Sequence, residues 1–538
     1  MTSNPGVLAA LLAAALAPLP LGAQGALSGR WDREHYRHDA LRYDISISLP
    51  DSGTRITATV VTRWKLSGPG AIVVDLDAAM TLRAASVNGA AAVWRRIGDQ
   101  VELPVHGAAG SEVTTSLSYD GMPLEGNGLL LRGSDSTRTG FGDNWPNRAH
   151  LWIASHDHPA DKAAVGWSVE APAGYAVVAN GTLLHVDTLA GGRVRWRFDN
   201  PEPIPVYTFV VGMARMAETR LAPACAAQCV PVSVWSYPED SAFAVNGPFH
   251  RASEIVAFFS QRIAPFPYRE LRHVESSTMY GGMENSTAIF YDEKAWRERR
   301  TRESVVAHET MHQWFGDAVT EADWHHVWLS ESFATYGANL WAQHAEGDSA
   351  LRASMERERD EIIKSPATDQ PILDSTITEK WRLLNTNTYQ KGGWLLHSLR
   401  GLIGDSAFFH GLTAYFREYE HKNALSSDFA RVMGRAAHQD LTWFFRQGLQ
   451  QPGYPVLAVT TALAAGRLTL TLRQTQKAAW GLYRIPNLQV QLGDRTVTVA
   501  LQRAAVTRVI LPWKGGSVPE RVRVDPAAWW LLTVAGGQ

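Results

Sequence analysis

His308-Glu309-Thr310-Met311-His312, followed after eighteen residues by Glu331, restricts this chain more than any other stretch of it. On a helix, positions 308 and 312 lie one turn apart and share a face. Two imidazoles so placed can bind one Zn²⁺, with the carboxylate of Glu309 beside the water to be activated. Two histidines leave a catalytic zinc one protein ligand short, and Glu331 is the natural third. The segment from Val327 to Ala342 runs apolar through Leu329, Phe333, Tyr336 and Leu340, which predicts a second helix. A short turn around Thr320 to Trp324 would fold it back antiparallel, so that Glu331 meets the histidines. A His2Glu set leaves one position open, the arrangement of a hydrolytic site. His325 and His326 are alternative ligands, but they follow a turn and leave the helical pair without a carboxylate.

Such a site needs a sizeable scaffold, and 538 residues are too many for one core. A net charge of −2 with 19% charged residues gives no reason to expect nucleic acid or an anionic membrane as partner. The 20 tryptophans point to large packed cores rather than disorder. Val7 to Leu21 is an alanine-leucine run followed by Gly22-Ala23-Gln24, which reads as a secretory leader with cleavage near Ala23. No Lys or Arg precedes it, which departs from the usual leader; Pro18 and Pro20 interrupt a run already short of about 20 residues, which argues against a membrane span. The expectation is a periplasmic or secreted protein with no span in the mature chain. The two cysteines, Cys225 and Cys229, then favour a small disulfide loop over free thiols or half a metal site.

The periodicity divides the remainder. From Tyr43 to about Val211 the period is two, as in Tyr43-Asp44-Ile45-Ser46-Ile47-Ser48-Leu49, with further strands at Ile56 to Trp64 and Ala71 to Leu76. Asn180-Gly181 between two apolar runs predicts a hairpin. The His156-Asp157-His158 cluster within this region reads as a loop held by hydrogen bonds, with metal binding the alternative. After Pro238 helices dominate: Pro248 to Ile263, the metal helix from about Thr301 to Phe315 with Gly316 as its C-cap, and Asp348 to Lys364, whose Glu-Arg-Glu-Arg-Asp-Glu run reads as a solvated face. Val274 to Phe290 reads as extended chain around a Gly-Gly turn, and further helices run from Thr388 to about Leu449. Strands return after Pro455. The expected organisation is a multidomain α+β chain: leader 1–23, an N-terminal antiparallel β domain 27–238, a mainly helical, thermolysin-like catalytic domain 239–454, and a small C-terminal β sandwich 455–538.

Tyr280-Gly281-Gly282-Met283-Glu284-Asn285, about 25 residues before the metal helix, resembles the Gly-x-Met-Glu-Asn loop of the gluzincin zinc aminopeptidases, the aminopeptidase N and leukotriene hydrolase type. His308 through Trp314-Phe315-Gly316, Trp328-Leu329-Ser330-Glu331 and Tyr389-Gln390-Lys391-Gly392 are similar to that family's other landmarks, in the same order. The similarity runs from the β domain to the C-terminal strands. It implies one Zn²⁺ per chain on His308, His312 and Glu331, Glu309 as general base and Tyr389 as oxyanion donor. It also implies peptide substrates with a free N-terminus, whose ammonium meets Glu284. Gly281 and Gly282 would pair with the peptide backbone and Met283 would line the pocket for its first side chain.

The chain departs from the family pattern in four places. Asp317 stands where Asn is usual and Ser332 where Gly is common; both would alter only hydrogen bonds behind the ligands. Phe141-Gly142-Asp143-Asn144-Trp145-Pro146-Asn147-Arg148 looks like the loop that supplies a second amine anchor, with Asp143 in that place on a shorter arm. The resemblance is to a short form, in which the large helical domain that closes over the site in many relatives is not expected after the C-terminal strands. Two rival readings are an epoxide hydrolase on the same zinc site and a catalytically idle peptide-binding relative.

Overall fold

Alternation in the first third of the chain builds sheets. Tyr43, Ile45 and Ile47 are buried while Asp44 and Ser46 face out, so the strand Asp39–Ser48 covers a core with one face only. It lies inside an eight-stranded sheet in a computed structural model that describes residues 27–31 and 36–536. The expected leader, with its cleavage near Ala23, lies outside these residues. Most pairs in the sheet are antiparallel as the pattern predicts, but Asp39–Ser48 runs parallel to Lys162–Pro172. Alternation specifies which face is buried, not the direction of the neighbouring strand.

Asn180-Gly181 does not close a hairpin. Ala176–Ala179 pairs with Val211–Ala214 in a four-stranded sheet, and Thr182–Leu189 pairs with Arg193–Pro205 in the large one. The dipeptide is the crossing point between sheets. The buried Asn180 amide donates to the carbonyls of Thr208 and Ser286 and accepts from Val210 N. Gly181 has φ +82°, and a Cβ there would strike the Asp199 backbone. The turn residues were read correctly; tertiary hydrogen bonds decide what they turn into.

One sheet draws strands from both sides of the expected boundary at 238/239. Ala217–Arg220 and Val232–Ser236 belong to a five-stranded sheet with Leu271–Ser276, Ala288–Asp292 and Gly282–Met283. At the other end, residues 27–31 lie against the helical part rather than the β domain. Trp31 stacks on His326, and the Gly29 carbonyl lies 2.8 Å from His326 Nε2. Cys225 and Cys229 form a disulfide across a two-stranded ladder.

Helices then take over. The helix expected over Pro248 to Ile263 spans Ala252–Arg262. The metal helix spans Glu303–His312 and stops three residues short of Phe315, because the N–H groups of Asp317, Ala318 and Val319 turn back onto the carbonyls of His312, Gln313 and Trp314. Trp328–Glu346 is buried on every side over its first two turns, as a helix at the centre of a domain must be. In Asp348–Lys364 the expected solvated face is incomplete: Glu358 turns inward, 6% exposed, and accepts from Asn339 Nδ2 at 2.7 Å. Four more helices run from Gly392 to Gln450. A four-stranded and a three-stranded sheet close the chain between Val456 and Val534. A small separate core, including Phe141, Trp145, Met283, Phe290, Trp324 and Leu383, joins the β domain to the catalytic sheet directly beneath a cleft. No helix among the described residues is long and apolar enough to cross a membrane.

Candidate active site

The antiparallel helices Glu303–His312 and Trp328–Glu346 bring three ligand atoms together. His308 Nε2 and His312 Nε2 are 3.2 Å apart, and Glu331 Oε2 is 3.3 and 3.4 Å from them. A tetrahedral zinc with bonds of about 2.0–2.1 Å holds its ligand atoms about 3.3–3.4 Å from one another. Glu331 Oε2 is buried and accepts no hydrogen bond, and both ring nitrogens face it. These three residues fit a zinc ion. The other nitrogen of the His312 ring, Nδ1, lies 3.2 Å from the Phe315 carbonyl and 3.0 Å from Ser330 Oγ, which leaves Nε2 for the metal. Gly316, at φ +128°, allows this approach: a Cβ there would strike both Ser330 Oγ and His312 Nδ1.

A second group converges beside the first, with ligand atoms of Glu284, Glu309 and His312 within 4.8 Å of one another. Burial pushes Glu309 well above the usual carboxylate range, opposed by His312 and reinforced by Glu284 and Glu331. Glu284 is raised too, by burial first. Confining this many carboxylates is costly unless cations share the cleft. Gly282 lies against Glu309 so closely that a Cβ would overlap its carboxylate, whereas Gly281 faces open space. Gly282–Met283 is the edge of its sheet, with one side unpaired. Gln313 braces the group from behind. Its amide donates to the Glu284 carbonyl at 3.0 Å and to Asp317 Oδ2 at 2.8 Å. Asp317 thus sits behind the ligands, as its departure from the pattern predicts.

Tyr389 lies on a π-helical turn, Asn387–Lys391. Its hydroxyl donates to Glu331 Oε1 at 2.8 Å and its ring stacks on His308. Ser332, the other departure behind the ligands, donates from Oγ to the Thr388 carbonyl at 2.6 Å.

Asp143 is not part of the cleft. It is fully buried, with Oδ1 2.6 Å from Arg148 Nη2 and Oδ2 accepting from Thr278 Oγ1 and Met279 N. As an amine anchor it is a correction: both oxygens are already engaged with protein. Its neighbour Trp145 reaches the cleft instead, with Tyr280 and Leu384, around a cavity of about 420 Å³. Beyond His308 the cavity continues along Val305, Thr335 and Asn339, none of which carries a sequence signal apart from its helical spacing to the ligands. Trp145 lies in the loop Phe141 to Arg148, and its size is the signal the sequence offers. His325 and His326 have both ring nitrogens in contact with protein groups, so neither is a ligand. His156 contacts Asp161 and the Val73 carbonyl, as expected of a hydrogen-bonded loop.

Residues 248–447 match the family profile for the Peptidase family M1 domain. The chain is 25% identical over 393 residues to a leucyl aminopeptidase of Saccharolobus solfataricus, covering 67% of this chain and 47% of that protein. It is 30% identical over 249 residues to aminopeptidase N of Lactobacillus helveticus, covering 42% and 28%. The chain spans about half the length of the first of these relatives or less. Its fold is that of the M1 zinc metallopeptidase of Deinococcus radiodurans, with a TM-score of 0.70 at 23% identity, covering 78% of this chain and 95% of that one. A mutant of that enzyme has been solved bound to Tyr-Ser-Ala, at a TM-score of 0.67 and 22% identity, covering 77% and 94%.

Proposed function

We propose, on the premise that this chain carries a peptidase family M1 domain, that it is a zinc-dependent aminopeptidase that hydrolyses the first peptide bond of peptides with a free N-terminus. The observation that carries the reading is the convergence of two ligand clusters in one cleft, His308, His312 and Glu331, and Glu284 with Glu309 and His312; the first would hold one zinc per chain, and Glu284 would meet the ammonium. Zn²⁺ bound there would polarise the scissile carbonyl and acidify the attacking water.

The chain's own groups supply the rest. Glu309 takes a proton from the water and passes it to the leaving amine, the task of a confined carboxylate whose proton affinity is raised. Tyr389 turns its hydroxyl from Glu331 Oε1 to the carbonyl oxygen as negative charge develops there. The unpaired side of Gly282–Met283, with Gly281 open beside it, supports docking of the peptide as an added strand. Met283, Trp145 and Leu384 form the wall for its first side chain. The Cys225–Cys229 disulfide supports a periplasmic or secreted location. The four-stranded and three-stranded C-terminal sheets support reading this region as a small β sandwich.

A panel of aminoacyl-anilides, with and without chelator and beside N-acetylated controls, tests the reading. Hydrolysis of the free-amine series alone, lost to chelator and restored by zinc, is the expected result. Equal hydrolysis of acetylated and free substrates overturns it.

A further inference from the structure

Ser332 stands beside Glu331 on the same helix, and its hydroxyl is fully buried. We propose that the Ser332 hydroxyl is a positioning group for Tyr389: by holding the Thr388 carbonyl it fixes the turn from which the phenol reaches the reaction centre.

The argument begins with that turn. Asn387–Lys391 is a π-helical turn, with Lys391 N bonded to the Thr386 carbonyl at 2.9 Å. Such turns are rare and marginal by themselves, so fastenings from outside must hold them. The Asn387 amide reaches the carbonyls of Ala367 and Gln370 at 2.6 and 2.9 Å, and Thr388 Oγ1 reaches that of Leu383 at 2.6 Å. Both fastenings tie the turn to the loop that precedes it. Ser332 Oγ to Thr388 O, at 2.6 Å, is the backbone fastening that comes from the helix carrying the metal ligand.

The spacing is a two-point grip. Adjacent residues 331 and 332 hold adjacent residues 389 and 388: Glu331 Oε1 receives the Tyr389 hydroxyl, and Ser332 Oγ takes the carbonyl one residue earlier. Gly392 completes it, because a Cβ at that position would overlap the Ser332 hydroxyl. Tyr389 projects its donor from the far end of a long side chain, so a small tilt of its backbone becomes a larger displacement of the hydroxyl. Misplacing a catalytic group by about 1 Å can cost as much as 10²-fold in rate.

The inference rests on the hydrolytic reading above, and a double-mutant cycle tests it. S332A is expected to lower kcat about tenfold with KM nearly unchanged and zinc content intact, since only the reach of one donor is affected. In a Y389F background the same substitution should produce no further fall, because the hydroxyl it positions is gone. A merely structural role would lower kcat in both backgrounds alike, and that result overturns the proposal, as does an unchanged kcat in the parent. Hydrogen exchange on metal-free protein gives a readout without activity: the amides of Tyr389 and Lys391 should exchange faster in S332A while those of the metal helix do not. Should S332A fail to fold, Ser332→Gly enters the same cycle. A parent that cleaves no anilide with zinc loaded would instead defeat the aminopeptidase reading, and the exchange experiment would still decide whether Ser332 holds the turn.

Discussion

Glu284 and Asp143 are both carboxylates drawn from loop motifs as partners for a substrate ammonium, and the fold treats them in opposite ways. Glu284 follows an edge strand and converges with Glu309 and His312. Asp143 ends a strand of the β domain and is sealed against Arg148, which lies five residues on in the same motif. Arg148 itself is fixed by the Trp145 carbonyl at 2.8 Å and lies over the Trp381 ring. The lesson is one of valence. A buried carboxylate has a fixed number of acceptor sites, and here a guanidinium in the same loop together with Thr278 and Met279 engages both oxygens before any substrate can. The Glu284 loop contains no cation, and so its acid stays available.

The largest effects should fall on the helix pair. His312→Ala is expected to abolish zinc binding, read by metal analysis of purified protein. Glu309→Gln should keep zinc and fold yet lose about 10²–10⁴ in kcat, the usual contribution of a general base. A Glu309→Gln enzyme with parental kcat would remove the whole hydrolytic assignment.

Next comes the comparison itself. Glu284→Ala should reduce kcat/KM for free-amine substrates by about 2–5 kcal/mol, the range for removing one partner of a desolvated charge pair. Asp143→Ala should leave kcat/KM per folded molecule much closer to the parent and instead cost about 3–5 kcal/mol of stability, since it strands a buried Arg148. Urea midpoints and kinetics on the same preparations separate the two losses. If Asp143→Ala lowered kcat/KM as much as Glu284→Ala at unchanged stability, Asp143 would return to the amine site.

Much of this was legible beforehand, and for identifiable reasons. His308, His312 and Glu331 are fixed by helical period and one turn, so their convergence follows from local geometry. The inward face of Asp39–Ser48 follows from alternation. What failed depended on partners distant in sequence. Asn180 engages Ser286, 106 residues away, and so becomes a crossing between sheets rather than a hairpin. Val232–Ser236 pairs with Leu271–Ser276 across the expected domain boundary. Trp145 faces the cleft because a loop in the β domain turns it there, and no period in the sequence records that. Glu358 was lost in a run of charges, although its position on the helix places it near the face that carries Leu351, Met355 and Ile362.

Glu358, which lines the far part of the same cavity, supplies the smallest prediction. Its Oε1 accepts from Asn339 Nδ2, and Oε2 has no hydrogen-bond partner. Burial pushes its pKa from 4.5 up to about 8, opposed by Asn339 and by Arg357 and reinforced by Glu361. Between those two values the folded chain holds a proton there that the unfolded chain has released. Stability from this group is therefore complete below about pH 4.5 and falls as pH rises through 8, by at most about 1.4 kcal/mol per pH unit. Gln in its place cannot ionise and keeps the oxygen that accepts from Asn339. Glu358→Gln should match the parent in Tm near pH 5 and exceed it by about 2 °C or more at pH 9. Arg357 opposes the burial of this acid without reversing the sign. Parallel Tm curves across that range would mean that Glu358 ionises freely and that its burial carries no energetic consequence.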